Sequence, residues 1–110
     1  MNIQKKLYDR LPSKIIKVNQ IKIDELIDLI SNREVHFLNI DIEGNEIYAL
    51  KSLNFKKYNP KLICVEIHNN NTSGRNNKNY FKSKSIYKFL IKKGYKFIWK
   101  NEFSFIFKRK

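Results

Sequence analysis

The chain has 110 residues, 42% of them hydrophobic, and a formal net charge of +13. That suffices for one domain with a modest core over residues 1–110, and it is too apolar for a disordered chain. No apolar run approaches the about 20 residues of a membrane span, MNIQKKLYDR lacks the apolar segment of a signal peptide, and a lone cysteine, Cys64, excludes an internal disulfide and suits a reducing cytoplasm.

In chain order, IIKVNQIKI (Ile15 to Ile23) partly alternates apolar and polar residues and reads as a strand. Asp24 is placed to cap a helix whose apolar face is Leu26, Ile27, Leu29 and Ile30, ending at Ser31 and Asn32. Val35 to Asp41 is dense in apolar residues and short, the pattern of a fully buried strand. A short helix follows over Gly44 to Leu53, with Glu46 in its first turn, where the helix dipole favours a carboxylate. Asn59 and Pro60 mark a turn before a second buried strand, Lys61 to Ile67, in which Cys64 reads as a small buried hydrophobe. Asn69 to Asn79 has no apolar side chain and reads as a surface loop. Ser85 is placed to cap a helix with Ile86, Phe89 and Leu90 on one face, stopped by Gly94 at C′. Tyr95 to Trp99 and Phe103 to Phe107 read as strands joined by a tight hairpin at Asn101 and Glu102, with Trp99 and the phenylalanines as core and sheet packing. Alternating strands and helices imply an α/β fold with a mainly parallel sheet, helices on its faces, and a closing antiparallel hairpin.

The charge invites a nucleic-acid partner. Two features weigh against it. Lys, Asn and Ile dominate the composition, and all three have A/T-rich codons; and the glycine and aromatic signature of RNA-binding modules is missing. The distribution of charge is more telling. After Glu66 the sole acid is Glu102, against twelve Lys or Arg, while Asp41, Glu43, Glu46 and Glu66 gather around two expected strand ends. In open α/β sheets ligands bind at the carboxyl ends of the strands.

FLNIDIEGNEIYALKSL (Phe37 to Leu53) resembles the FkbM family of S-adenosylmethionine-dependent methyltransferases, whose strand ends in Lys-x-Asp-x-Glu-Gly before a helix. The matches are Asp41, Glu43, Gly44 and Glu46. The family's later strand, ending in Val-Glu-Ile, is similar to Val65, Glu66 and Ile67. Its last helix and Gly-Tyr are similar to Ile86 to Leu90 with Gly94 and Tyr95, and Ile23 to Leu26 resembles its Leu-Asp helix start. The resemblance runs from about Ile15 to Lys108. It implies a Rossmann-like sheet, S-adenosylmethionine as methyl donor, and an acceptor oxygen on a sugar, lipid-linked glycan or small metabolite.

Two departures stand out. Asn39 replaces the family's lysine. The only glycines are Gly44, Gly74 and Gly94, so the glycine-rich turn that holds the cofactor is missing. The expectation is the C-terminal part of the methyltransferase domain, from a truncated gene product or one piece of a split enzyme. It would pair with a complementary N-terminal half and be inactive alone, with no cofactor-binding residues assigned.

On this reading Asp41 and Glu43 are the catalytic candidates. Methyl transfer is a displacement in which the protein aligns the acceptor oxygen and a carboxylate orients or deprotonates it. Asp41 otherwise reads as a turn cap and Glu43 as a helix cap. Glu66 and His68 are the substrate-binding candidates, with a lysine pair as the alternative for Glu66. No metal is expected, because His68 has no second ligand at suitable spacing and His36 lies at the opposite strand end. A different class is distantly similar: nucleases that hold magnesium with an Asp and a Glu-x-Lys, or else a basic nucleic-acid-binding domain. Against the nuclease, a helix intervenes between the two expected strands, and His68 stands in the lysine position.

Overall fold

A computed structural model describes residues 13–30, 34–68 and 79–110. Its elements in order are α1 (Ile23–Ile30), β1 (Phe37–Ile40), α2 (Glu46–Ser52), β2 (Leu62–Glu66), a 3₁₀ turn (Tyr80–Ser83), α3 (Ser85–Lys92), β3 (Tyr95–Lys100) and β4 (Ser104–Arg109). The architecture is mixed α/β, with one open four-stranded sheet in the order β1-β2-β4-β3.

β1 and β2 pair in parallel through the crossover helix α2. β3 runs in the same direction but one place further out, and β4 folds back into the gap, antiparallel to both β2 and β3. The sheet is therefore only partly parallel, not mainly parallel as expected: three strands share a direction, but β4 inserts between two of them, so only one of the three pairings is parallel. The hairpin turn spans three residues. Asn101 closes it, donating its N–H to Ser104 O and accepting at Oδ1 from the amides of Phe103 and Ser104. Phe103 consequently leaves the strand. A bulge between Phe97 and Trp99 resets the alternation, so Trp99 faces away from the core and is half-exposed.

The core lies on one side of this sheet. Ile63 and Val65 of β2, Phe105 and Phe107 of β4 and Tyr95 of β3 meet Leu50 of α2, Leu90 of α3 and Phe81 of the 3₁₀ turn. Phe81 fills the centre, with ring centroids 4.8 Å from Phe97 and 5.1 Å from Phe105. Buried Tyr95 donates its hydroxyl to the Pro60 carbonyl, with Asn59 Oδ1 at 3.0 Å. Burial pushes that phenol up to about 12. α3 ends as its sequence requires: Lys93 N–H bonds Phe89 O and Gly94 N–H bonds Ile91 O, each at 3.0 Å, and Gly94 takes φ +92°, a conformation other residues adopt only with strain. Its N-cap is Lys84, one residue before Ser85, and no side chain caps it.

The N-terminal third departs from the sequence reading. Residues 13–22 form no strand, and Ile15, Ile16 and Val18 are exposed. β1 already has β2 on one side, and this alternating segment forms no ladder on the other. α1 buries none of its residues: Leu29 and Ile30 point to solvent, and only Ile23, Asp24 and Ile27 are partly covered. Polar links hold it instead. Asp24 is not its N-cap but accepts Asn54 N–H at 2.8 Å, and Ile23 N–H reaches Ser52 Oγ at 3.2 Å. Asp28 accepts from the Tyr58 hydroxyl and from Lys57 Nζ at 3.2 Å, contacts that hold its carboxyl below the ordinary range. β1 is shorter than Val35 to Asp41 and is not fully buried. It is an edge strand, so Phe37 and Asn39 are exposed and only Ile40 is enclosed. The expected ends of α1 at Ser31 and Asn32, and the loop 69–78, lie outside the described residues.

Candidate active site at the carboxyl ends of β1 and β2

Because β1 and β2 are parallel, Asp41 and Glu66 emerge at the same edge of the sheet. Asp41 follows Ile40 directly and is exposed. The chain then reverses through Ile42 to Asn45 with Glu43 at φ +54° and Gly44 at φ +99°. Gly44 suits that conformation without cost. For Glu43 it costs about 1–2 kcal/mol, so something must hold it there.

Glu46 does so. It opens α2, is only 3% exposed, and turns back into the loop: Oε1 accepts Ile42 N–H at 3.2 Å and Oε2 accepts Gly44 N–H at 2.9 Å. Both amides flanking Glu43 are thereby tied to one carboxylate, and the turn that presents Asp41 and Glu43 is fixed. The sequence reading placed Glu46 at the helix start for its dipole and missed this contact. The spacing that signals it, an acid two residues after a glycine at a strand-to-helix turn, is too common to be diagnostic alone.

Carboxylate oxygens of Asp41, Glu46 and Glu66 lie within 4.8 Å of one another. Like charges at that distance disfavour joint ionisation. Glu66 shows it: its carboxyl is raised above the ordinary value, first through its hydrogen bond with Asp41, then by burial and by the Asp41 charge, with Glu43 adding to the effect and His68 opposing it. Glu66 Oε1 also meets His68 Nε2 at 2.7 Å, so the side chain beside it is histidine rather than lysine. The His68 ring packs against Phe103 at 5.4 Å, and Ile67 N–H bonds Phe103 O at 2.9 Å, which anchors the segment after β2 to the hairpin turn. Cys64, half-buried between these groups, has its thiol raised by burial and by Asp41, a state in which it is a poor nucleophile.

Three of the four expected site residues, Asp41, Glu66 and His68, are therefore brought together, and Glu43 stands at the rim of the same loop. The trio Asp41, Glu46 and Glu66 has a spacing that a divalent cation can bridge, although both oxygens of Glu46 are already engaged by amides. An open groove of ≈ 1160 Å³ runs from Asp41 along the free edge of β1, between α2 and the segment Gln20 to Leu26. Its floor is Leu38, Asn39 and Ile40, and Ile42 and Tyr48 flank its mouth.

The model of the methyltransferase FkbM domain matches residues 3–97 of this chain. The chain belongs to the FkbM methyltransferase domain family. No curated protein and no solved structure matches it significantly. The acidic edge just described falls inside the family match, as do α1, both parallel strands and α3. Among the described residues of this FkbM domain, no helix is long and apolar enough to cross a membrane.

Proposed function

We propose that this chain supplies the acceptor side of a Rossmann-like FkbM domain that methylates an oxygen of a sugar, lipid-linked glycan or small metabolite, with S-adenosylmethionine as donor. The observation that carries the reading is the convergence of Asp41, Glu66 and His68 at the carboxyl ends of two parallel strands. Asp41 is exposed and within reach of an incoming hydroxyl, so it orients the acceptor and takes its proton. Glu66, whose carboxyl favours the protonated form through Asp41, shares that proton and so stabilises the pair as it changes charge. His68 holds Glu66 in place and offers its ring edge to the acceptor. Glu43 stands in the loop that follows Asp41, and Glu46 holds that loop in shape.

The donor's chemistry is an electrophilic methyl on a positive sulfonium, and an acidic edge suits that charge. The cradle for its ribose and methionyl parts is another matter. The glycines are too far apart in sequence to form a phosphate- or ribose-binding turn, and the groove beside β1 offers one wall. The reading therefore assigns the cradle to a complementary half of the domain that docks along β1. A labelled-methyl assay with a pool of hydroxylated sugars and metabolites, run on the chain alone and mixed with a glycine-rich FkbM half, tests this. Transfer is expected in the mixture, about 10²-fold or more slower with Asp41→Asn, and unchanged with Glu34→Gln, which stands beside Lys61 at the amino ends of the same strands. Transfer indifferent to both Asp41→Asn and Glu66→Gln would refute the site.

A further inference from the structure

All-parallel sheets are ordinarily covered on both faces, whereas a mixed sheet such as this one can leave a face to water, so the make-up of the second face decides. Here α2, α3 and the 3₁₀ turn all pack on one face, and among the described residues no helix covers the other. The strand register sets out that second face in rows. Phe37, Leu62, Lys108 and Lys96 form the first; Asn39, Cys64, Ile106 and Trp99 the second; Glu66 and Ser104 the third. The middle of the face is apolar yet wet. Phe37 is 55% and Trp99 50% exposed, whereas Phe105 and Phe107 on the opposite face are fully enclosed. Leu62, Cys64 and Ile106 are half-buried. At one end Lys96 and Lys108 stand directly opposite each other across the β3–β4 ladder, both exposed.

We infer that this face docks an amphipathic helix whose flanking residues are acidic. A helix is the element that buries one apolar stripe on a sheet face. The flanks follow from charge. Adjacent lysines opposite one another are unfavourable unless countered, and the chain carries +13 overall. Carboxylates set beside Lys96 and Lys108 relieve both. A second copy of this chain would add another +13 to the same surface. A polyanion such as RNA would leave the Leu62–Ile106–Trp99 strip facing phosphate. The inference does not depend on the methyl-transfer reading, since among the described residues no helix covers the face whatever the chemistry at its edge.

Trp99 is the only tryptophan and lies on the face in question, so its emission reports docking. The probe is a synthetic peptide of about 18 residues, long enough for helix formation, with leucines at i, i+3, i+4 and i+7 and glutamates beside them. Its twin carries lysines instead. The glutamate peptide should shift Trp99 emission to the blue and saturate, and the lysine peptide should bind at least about tenfold more weakly. Ile106→Glu should abolish the shift, while Ile91→Glu, on the solvent side of α3, should leave it intact. Because Ile106→Glu can perturb folding, the double variant Lys96→Glu with Lys108→Glu, confined to exposed positions, gives a second test: it should reverse the preference between the two peptides. Three results would each overturn the inference. These are no shift with the glutamate peptide, equal binding of both peptides, and a blue shift that grows with chain concentration alone, which would make the occupant a second copy.

Discussion

Replacing Glu46 with alanine removes the acceptor of two loop amides at once. Ile42 N–H and Gly44 N–H lose their partner inside a partly buried turn, and each buried donor left unsatisfied costs about 1–3 kcal/mol. Glu46→Ala should therefore lower stability in urea by about 1–3 kcal/mol, since water reaches part of the loop, and Glu46→Gln by less. A change within a few tenths of a kcal/mol would show that the loop holds Glu43 at φ +54° without it. The neighbouring pair gives a pH prediction. Glu66 sits above its ordinary value of 4.5, chiefly because of Asp41. A group whose folded value is raised stabilises the fold below its unfolded value, and that contribution is lost as pH rises through the raised value. Asp41→Asn should bring the Glu66 carboxyl down toward the ordinary range, read by carboxyl-carbon NMR titration. An unmoved titration would mean that burial, not Asp41, sets it.

Among elements, α1 and α2 are close in length and opposite in anchorage. α2 drives Leu50 into full enclosure, while α1 encloses nothing and holds on through Asp24, Asp28 and Ser52. Leu50→Ala should cost about 2–5 kcal/mol, as buried leucines do. Leu29→Ala, at a position 79% exposed, should stay within about 0.5 kcal/mol. Denaturant midpoints of the two variants decide it, and comparable losses would mean that α1 is packed in solution. The periodicity of IDELIDLI cannot separate these cases. It specifies an amphipathic helix, but whether its apolar side finds a surface depends on what lies beyond β1. For α3 the local signals suffice, because Gly94 and the Ile86–Leu90 face are enforced by backbone geometry and by the adjoining β3.

At the scale of the whole molecule, the open sheet has, among the described residues, no strand beyond β1 and no helix on its second face. If the donor cradle belongs to a complementary half, calorimetry on this chain should detect no S-adenosylmethionine binding in the micromolar range, or about −8 kcal/mol. Micromolar affinity would place the cradle within the chain itself and remove the need for a second half. The same openness explains two misreadings. Val35 to Asp41 carries the composition of a buried strand, yet Phe37 and Asn39 are exposed because β1 is terminal. Ile15 to Ile23 carries the alternation of a strand, yet forms none, because a strand exists only as one side of a ladder.

The sequence by itself determined the α/β order, the stop of α3 at Gly94, the hairpin that closes the sheet, and the acidic turn DIEGNE with its family resemblance. Each is encoded locally, in spacings of a few residues or in a glycine's freedom. Only the tertiary structure decided that β4 inserts between β2 and β3, that Glu66 meets both His68 and Asp41, and that Glu46 turns its carboxylate back onto the loop. Those outcomes join residues across two strands and a crossover helix, or aim one side chain back across a turn. Side-chain distance in space, which no one-dimensional pattern carries, sets them.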